Sequence, residues 1–337
     1  MEDLTQIASS NIADIIKTCI EFKTDSESKA LVVFDNQNGL TKILTQAYRN
    51  VFPKARFIDF DSLNKEQILA EFDLLKAKDL VVLIQSSSFR LDDFRIRLHL
   101  FSKKVKVIEH LHLHRNDEAV WDVYVNSLAY DKSWYRQIGP NLKQKLDVCK
   151  KLEILSGDSK LVFENGLELA KLNIGDYTNL ENIGGTFPIG EVFTETKDFN
   201  SVNGNFVLDT FANKDFSITF SQPFEVFVEN SLVVGFSSNA SQEFKEMLEK
   251  IQSVERPLLR EIGFGLNRAI TKERYLGDIT AFERLVGIHF SIGEKHSVYK
   301  KPGIQAYKAR FHVDIFPVVD CVLADGVKIF EKGEYLE

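Results

Sequence analysis

Four short apolar runs, each followed by a helix-like segment, set the strongest limit on how this chain folds. They are "ALVVFDNQNG" (30–39), "ARFIDFD" (55–61), "DLVVLIQSSS" (79–88) and "VKVIEHLHLH" (105–114). Between them lie "LTKILTQAYRNVF", "NKEQILAEFDLL" and "LDDFRIRLHLFSKK", and "NDEAVWDVYVNSLAYD" follows the last. Strands that alternate with helices imply right-handed crossovers and a mostly parallel sheet covered by helices on both faces. An amphipathic helix precedes the series, with Leu4, Ile7, Ile12, Ile15, Ile16, Cys19 and Ile20 on one stripe. No G-x-G-x-x-G follows the first strand, so the dinucleotide fingerprint is absent.

The texture changes near residues 150–158. "KSWYRQIGPNLKQKLDVCKKLEILSG" reads as a bridging helical segment interrupted near Gly139-Pro140. "SKLVFENGLELAKLNIG" then reads as a hairpin turning at Asn165-Gly166. Several short strands and one clear helix, "SQEFKEMLEKIQSV", follow. The expected architecture is α/β: an N-terminal mostly parallel α/β domain (1–155), then an antiparallel-rich α+β domain (156–337) that carries the chemistry. A chain of 337 residues suits two domains of ordinary size.

Composition excludes several partners. The net charge is −7, and no lysine or arginine cluster is present, which argues against nucleic acid and against an anionic membrane surface. No stretch approaches the ~20 apolar residues of a membrane span. The three cysteines, Cys19, Cys149 and Cys321, are widely spaced and odd in number, which fits a reducing compartment. The first residues lack the basic start and uninterrupted apolar run of a signal peptide. A cytoplasmic location is expected.

Three of the seven histidines, His110, His112 and His114, alternate in "EHLHLHRNDE". In a strand they would line one side, about 6–7 Å apart, with Leu111 and Leu113 on the other. Two imidazoles at that spacing can share a zinc, but a third reaches poorly, and no carboxylate converges on them. This ladder therefore reads as a strand end with solvated or hydrogen-bonded histidines. It lies where α/β sheets place function, so a lining role stays open.

A better constellation is spread over the second half. Glu191 lies in "PIGEVFTE", and Glu261 in the glycine-rich, apolar "LLREIGFGLNRAI". A carboxylate in such company is costly to bury unless it is paired or metal-bound. His289 sits in "AFERLVGIHFSIG", and His312 and Asp314 alternate in "RFHVDIF". Singly, each has a plain structural explanation: a surface strand, a helix end, a core histidine, a chance H-x-D. Together, three carboxylates and two histidines suit Zn²⁺, Co²⁺ or Mn²⁺. Five such ligands, one of them bridging, could hold two divalent ions about 3.5–4 Å apart and activate a water.

The motifs "NIGGTFPIGEVFTE", "REIGFGLNRAI", "FERLVGIHFSIG" and "FHVDIF", in this order, resemble those of the thermophilic-type metalloaminopeptidases, the leucyl aminopeptidase T family. The resemblance implies a co-catalytic two-metal site on Glu191, Glu261, His289, His312 and Asp314. It also implies removal of N-terminal residues from peptide substrates, and a homodimer. "VGIH" departs from the family's G-T-x-H. Where the family often has a tyrosine after that histidine, His296 stands nearby and Tyr299 three residues further on, so either could take the polar catalytic role. The 2,5-dihydroxypyridine dioxygenases resemble this family in fold. They imply an alternative, a mononuclear Fe(II) ring-cleaving enzyme with two histidines and a carboxylate. A degenerate, non-catalytic peptide-binding member is the third reading.

Overall fold

The computed structural model describes residues 2–23, 28–91, 94–213, 215 and 217–336. Two compact units result, and each is built from three stretches of chain. The first comprises Met1–Tyr135, Gly175–Ile189 and Ala269–Ala281; the second comprises Arg136–Ile174, Gly190–Arg268 and Phe282–Glu337.

The first unit has the expected doubly wound form. Strands β1 (Ala30–Phe34), β2 (Arg56–Asp59), β3 (Leu80–Ile84) and β4 (Lys106–His110) are parallel, in the order β2-β1-β3-β4. β3 is buried at every residue, as a central strand covered on both faces must be. Helices α1 (Glu2–Thr18), α2 (Gly39–Val51), α3 (Lys65–Asp73), α4 (Ile96–Ser102) and α5 (Trp121–Ser127) accompany these strands. Asn38 caps α2 through Leu40 N–H, and Asn64 with Gln67 closes a reciprocal capping box on α3. Part of the predicted helix "LDDFRIRLHLFSKK" (Asp92 and Asp93) lies outside the described residues; α4 itself begins at Ile96.

A fifth parallel strand, Gly184–Phe187, lies beside β4. It comes from sequence assigned by pattern to the second half. Gly184 makes the pairing feasible: its φ is +103°, and a Cβ there would stand 1.8 Å from the Val107 carbonyl oxygen.

The histidine ladder does not form. β4 ends at His110, and His112 takes a left-handed conformation (φ 50°, ψ 37°). Leu113 and His114 then donate their N–H groups to the carbonyls of Gln85 and Ser86, drawing the chain across the end of β3. The three imidazoles therefore lack a common face. The helix α6 (Lys132–Val148) likewise runs through Pro140 without the expected interruption. The Asn165-Gly166 turn has both residues at positive φ, but its flanks do not pair with each other.

The second unit is one large antiparallel sheet of thirteen strands among the described residues. In chain order the strands are β5 (Leu152–Ser156), β6 (Ser159–Phe163) and β7 (Lys171–Asn173); then, after the strand already placed (β8), β9 (Glu191–Glu195), β10 (Val202–Ala212), β11 (Ile218–Glu229) and β12 (Leu232–Phe236). They continue with β13 (Leu259–Gly265), β14 (Gly287–Ile292), β15 (Val313–Pro317), β16 (Cys321–Ala324), β17 (Val327–Glu331) and β18 (Glu334–Tyr335). The helix α7 (Gln242–Gln252) packs Phe244 against Phe211, Phe224 and Phe236. The run β15-β14-β13-β9 lies side by side in this sheet. No helix among the described residues is long and apolar enough to cross a membrane.

His110 is fully buried at the end of β4, with Tyr48 Oη 2.9 Å from Nε2 and Tyr124 Oη 2.9 Å from Nδ1. Tyr124 donates onward to the Phe187 carbonyl at 3.1 Å, so Nδ1–H donates to Tyr124 and Nε2 accepts from Tyr48. Burial pushes the imidazole down to a pKa of about 3. The unfolded chain therefore binds this proton near pH 6.5 and the folded chain only near pH 3, so stability drains away as pH falls between those values. His110→Gln is expected to be less stable than wild type by about 2 kcal/mol at pH 7. Below pH 6.5 the gap shrinks by up to about 1.4 kcal/mol per pH unit, so it closes near pH 5 and the variant becomes the more stable toward pH 4, as urea denaturation at pH 7 and pH 4 would show.

Candidate metal centre

The register of four adjacent strands sets this site. Glu191 pairs with Gly265, Gly263 with His289, and Ser291 with Asp314. Directly opposed residues in antiparallel strands share a face, as do residues two apart along a strand. Glu191, Glu261, His289 and Asp314 therefore project from one side of β9, β13, β14 and β15. Glycine at 263 is required here: a Cβ at that position would lie 2.1 Å from the His289 ring. His312 precedes β15 by one residue and leans on the same side.

All five candidate ligands come together. His289 Nε2 lies 3.2 Å from Glu191 Oε1 and 3.8 Å from Glu261 Oε1. His312 Nε2 lies 3.2 Å from Asp314 Oδ1 and 3.9 Å from the same Glu261 oxygen. Glu261 thus stands between two imidazole–carboxylate pairs. His289 Nε2 and Asp314 Oδ1 are buried and have no hydrogen-bond partner, despite their near neighbours. Each stands close to one neighbour, His289 Nε2 to Glu191 Oε1 and Asp314 Oδ1 to His312 Nε2, without the alignment of a hydrogen bond, as donor atoms aimed at a cation do. The donor set of imidazole nitrogen and carboxylate oxygen fits Zn²⁺, Co²⁺, Mn²⁺ or Fe²⁺. His312 Nδ1 lies 3.0 Å from the Lys295 carbonyl, which fixes the ring and leaves Nε2 facing the carboxylates.

Charge explains the titration of the cluster. Burial alone would lower the pKa of His289, but Glu191 and Glu261 outweigh it and raise it to about 10. At His312, burial is likewise overridden by Asp314 and Glu261, and its pKa also reaches about 10. Burial opposes ionisation of Glu261, yet the histidines around it hold its carboxyl well below the usual range. The carboxylates thus demand positive charge, which protons supply when no metal ion is bound.

Of the two candidates for a polar catalytic role, the structure brings one into the cluster. His296 Nε2 lies 2.5 Å from Glu261 Oε2, and its ring is 5.8 Å from that of His312. The Tyr299 hydroxyl instead faces the carbonyls of Leu169 (2.8 Å) and Phe193 (3.3 Å). Its ring packs 5.1 Å from the His296 ring.

Two residues of the centre escaped sequence reasoning, Glu283 and Arg284. The buried Arg284 guanidinium hydrogen-bonds Glu191 Oε2 through Nη1 and reaches Glu283 Oε1 through Nη2 at 2.8 Å. Glu283 joins Glu191 and His289 in a group whose donor atoms all lie within 4.8 Å of one another. Burial, with Glu191 and Asp314 nearby, holds the Glu283 carboxyl well above the usual range against the pull of Arg284. The available signal was the charged doublet in "AFERLVG", an unusual break in an apolar run. Beside the centre, the buried Arg260 pairs with Glu195 at 2.7 Å and ties down the Tyr299 carbonyl at 2.6 Å.

No family model and no curated protein matches the sequence. Several solved structures match, among them two along nearly their whole length. The 2,5-dihydroxypyridine dioxygenase from Pseudomonas putida KT2440 superposes with a TM-score of 0.67 at 16% identity, covering 99% of this chain and 96% of that one. AmpT from Thermus thermophilus superposes with a TM-score of 0.62 at 12% identity, covering 98% and 99%. At these identities the likeness shows the fold, a parallel α/β sheet together with a large curled antiparallel sheet, in both cases over essentially the entire chain.

Proposed function

We propose that this chain is a metal-dependent hydrolase of the aminopeptidase type, acting on the N-terminal residue of peptides with two divalent ions. The observation that carries the proposal is the position of Glu261 Oε1, midway between the His289–Glu191 and His312–Asp314 pairs, each of which contains an unpartnered buried donor atom. Glu191, His289 and Glu261 would hold one ion; Glu261, His312 and Asp314 would hold the other. Such ions polarise a carbonyl and bring the pKa of a coordinated water toward ~7. The AmpT fold likeness supports this reading.

The chain's own groups complete the arrangement. Arg284 fixes Glu191 by its outer oxygen and leaves Oε1 turned to His289. The Lys295 carbonyl orients His312. His296 Nε2, on Glu261, is placed to hold a proton and pass it to a leaving amine. Tyr299 packs against the His296 ring and steadies it.

One observation favours a second reading. Arg284 already neutralises Glu191, while Glu261, His296, His312 and Asp314 form a two-histidine, two-carboxylate set by themselves. That set suits a single Fe²⁺ and oxygen chemistry on an aromatic diol, and the likeness to the Pseudomonas dioxygenase fits it.

Metal analysis separates the two readings. The hydrolase reading expects two equivalents of Zn²⁺, Co²⁺ or Mn²⁺ per chain and release of p-nitroaniline from aminoacyl-p-nitroanilides. Glu261→Ala and His312→Ala should each lower kcat/KM by about 1,000-fold or more. One equivalent of iron, with oxygen consumed on addition of an aromatic diol and no anilide cleavage, overturns it.

Gly263→Ala isolates the part played by His289. The added methyl displaces the imidazole, so one equivalent of metal should be lost while the His312–Asp314 side keeps its own, as equilibrium dialysis would record.

Protons report the same events. Because both imidazoles are raised to about 10, loading metal at pH 7 should release about two protons if both histidines become ligands. Calorimetry in buffers of different ionisation enthalpy measures that number. The sign for the metal-free protein follows: stabilisation from the two imidazoliums is complete below pH 6.5 and is lost as pH rises through about 10. Its Tm should fall over that range, and the loaded protein's should not.

A further inference from the structure

The conspicuous histidines of residues 110–114 have a use outside the metal centre. His112 Nε2 lies 2.7 Å from Ser88 Oγ, and His112 Nδ1 lies 3.0 Å from Asp278 Oδ1. All three belong to the first unit, distant in sequence but joined through one imidazole. We propose that Ser88, His112 and Asp278 form a nucleophilic triad for acyl transfer, with carboxylic esters as the substrate class, separate from the metal centre.

The geometry meets the requirements of such a triad in order: nucleophile on base, base on an orienting carboxylate. Exposure separates the carboxylate from the other two. Ser88 is half-buried, the His112 side chain is 21% exposed and Asp278 only 2%, so the nucleophile is reachable and the carboxylate is not. Asp278 is held by Arg115 Nη1 at 2.7 Å and by the Thr280 hydroxyl. Burial works against its charge, but hydrogen bonds from His112 and Thr280 keep its carboxyl below the usual range. Arg115 also approaches His112 Nδ1, at 3.4 Å, but the shorter contact to Asp278 sets the tautomer, with Nδ1–H donating to the carboxylate and Nε2 accepting from Ser88.

Position and rigidity support the assignment. Ser88 follows the C-terminal end of β3 and His112 that of β4, the edge at which parallel α/β sheets place their sites. The Ser88 loop is clamped. Asp35, after β1, accepts from Ser86 N–H at 2.7 Å and from Ser86 Oγ at 2.6 Å, and Gln85 Oε1 accepts from Phe89 N–H at 2.7 Å. The left-handed backbone of His112, uncommon for a residue with a Cβ, is what turns its ring toward both partners. The N–H groups of Ser87 and Ser88 have no acceptor among the described residues and can receive a developing oxyanion.

In the proposed step the Ser88 Oγ–H bond breaks, its proton passes to His112 Nε2, and an Oγ–C bond forms at the ester carbonyl while the π pair moves to oxygen. Collapse of the tetrahedral adduct breaks the ester C–O bond. The alcohol leaves with the proton from His112, and water then hydrolyses the acyl-serine by the same route reversed. Asp278 acts as a positioning residue.

The test uses the full chain with a fluorophosphonate probe, which forms an Oγ–P bond as fluoride leaves, followed by peptide mass spectrometry, and with p-nitrophenyl butyrate as ester. The expected result is label on Ser88 and ester hydrolysis, both unaffected by a metal chelator. Ser88→Ala should abolish labelling. His112→Asn, which tolerates the left-handed backbone, should slow labelling and hydrolysis about 1,000-fold or more. Asp278→Asn should lower the rate and move the midpoint of its pH profile to lower pH, since the carboxylate beside the imidazole is gone. A merely structural hydrogen-bond chain would not move that midpoint. Absence of label, label on another serine, or Ser88 labelled equally fast in His112→Asn overturns the proposal. The chelator arm keeps its failure distinct from that of the metal-centre reading.

Discussion

Burying carboxylates on one face of a sheet is the constraint around which the second unit is arranged. Glu191, Glu261 and Asp314 are each less than a tenth exposed, and they project from neighbouring strands at a spacing that like charges resist. The fold answers with Arg284, His289, His296 and His312, and it leaves two donor atoms unpartnered. A structure built for stability alone would gain by replacing such a cluster with apolar side chains of similar volume. The cluster is therefore a candidate site for a cation, whose binding would offset the cost.

The backbone is shaped to the same end. Gly263 sits across from His289, where any side chain would occupy the space of the imidazole. The glycine-rich run of β13 is therefore the other half of the histidine's position. Ser291 supports the arrangement by accepting the Glu261 N–H at its hydroxyl oxygen, within a locally irregular stretch of the β13–β14 pairing.

Much of this was legible from residue types and order. The alternation of apolar runs and helices dictates the parallel sheet, because a strand covered on both faces must be apolar throughout. The five ligand candidates stood out as charged or titratable residues in apolar strands, where burial needs a partner. The remainder depends on long-range pairing. Gly184–Phe187 joins the first sheet from just beyond the midpoint of the chain, and nothing local marks it as parallel or as a neighbour of β4. Alternation predicted a ladder of three histidines, but backbone hydrogen bonds to Gln85 and Ser86 override it after His110 and leave the imidazoles of His110 and His112 with different partners. Arg284 was hidden because a charged pair in an apolar run reads equally as a solvated edge until Glu191 is seen beside it.

Glu283 links the count of bound ions to the chemistry. Four carboxylates, Glu191, Glu261, Glu283 and Asp314, face one fixed positive charge, Arg284. With neutral imidazoles and every carboxylate ionised, the cluster carries three negative charges. One divalent cation leaves a single negative charge, which protonation of Glu283 removes, in the direction its burial already pushes. Two divalent cations with Glu283 ionised leave a single positive charge, which calls for one anionic group from solvent or substrate. The protonation state of Glu283 and the number of ions are therefore alternative solutions to one electrostatic problem. Arg284 touches Glu283 and Glu191 together, so its charge acts on both carboxylates at once.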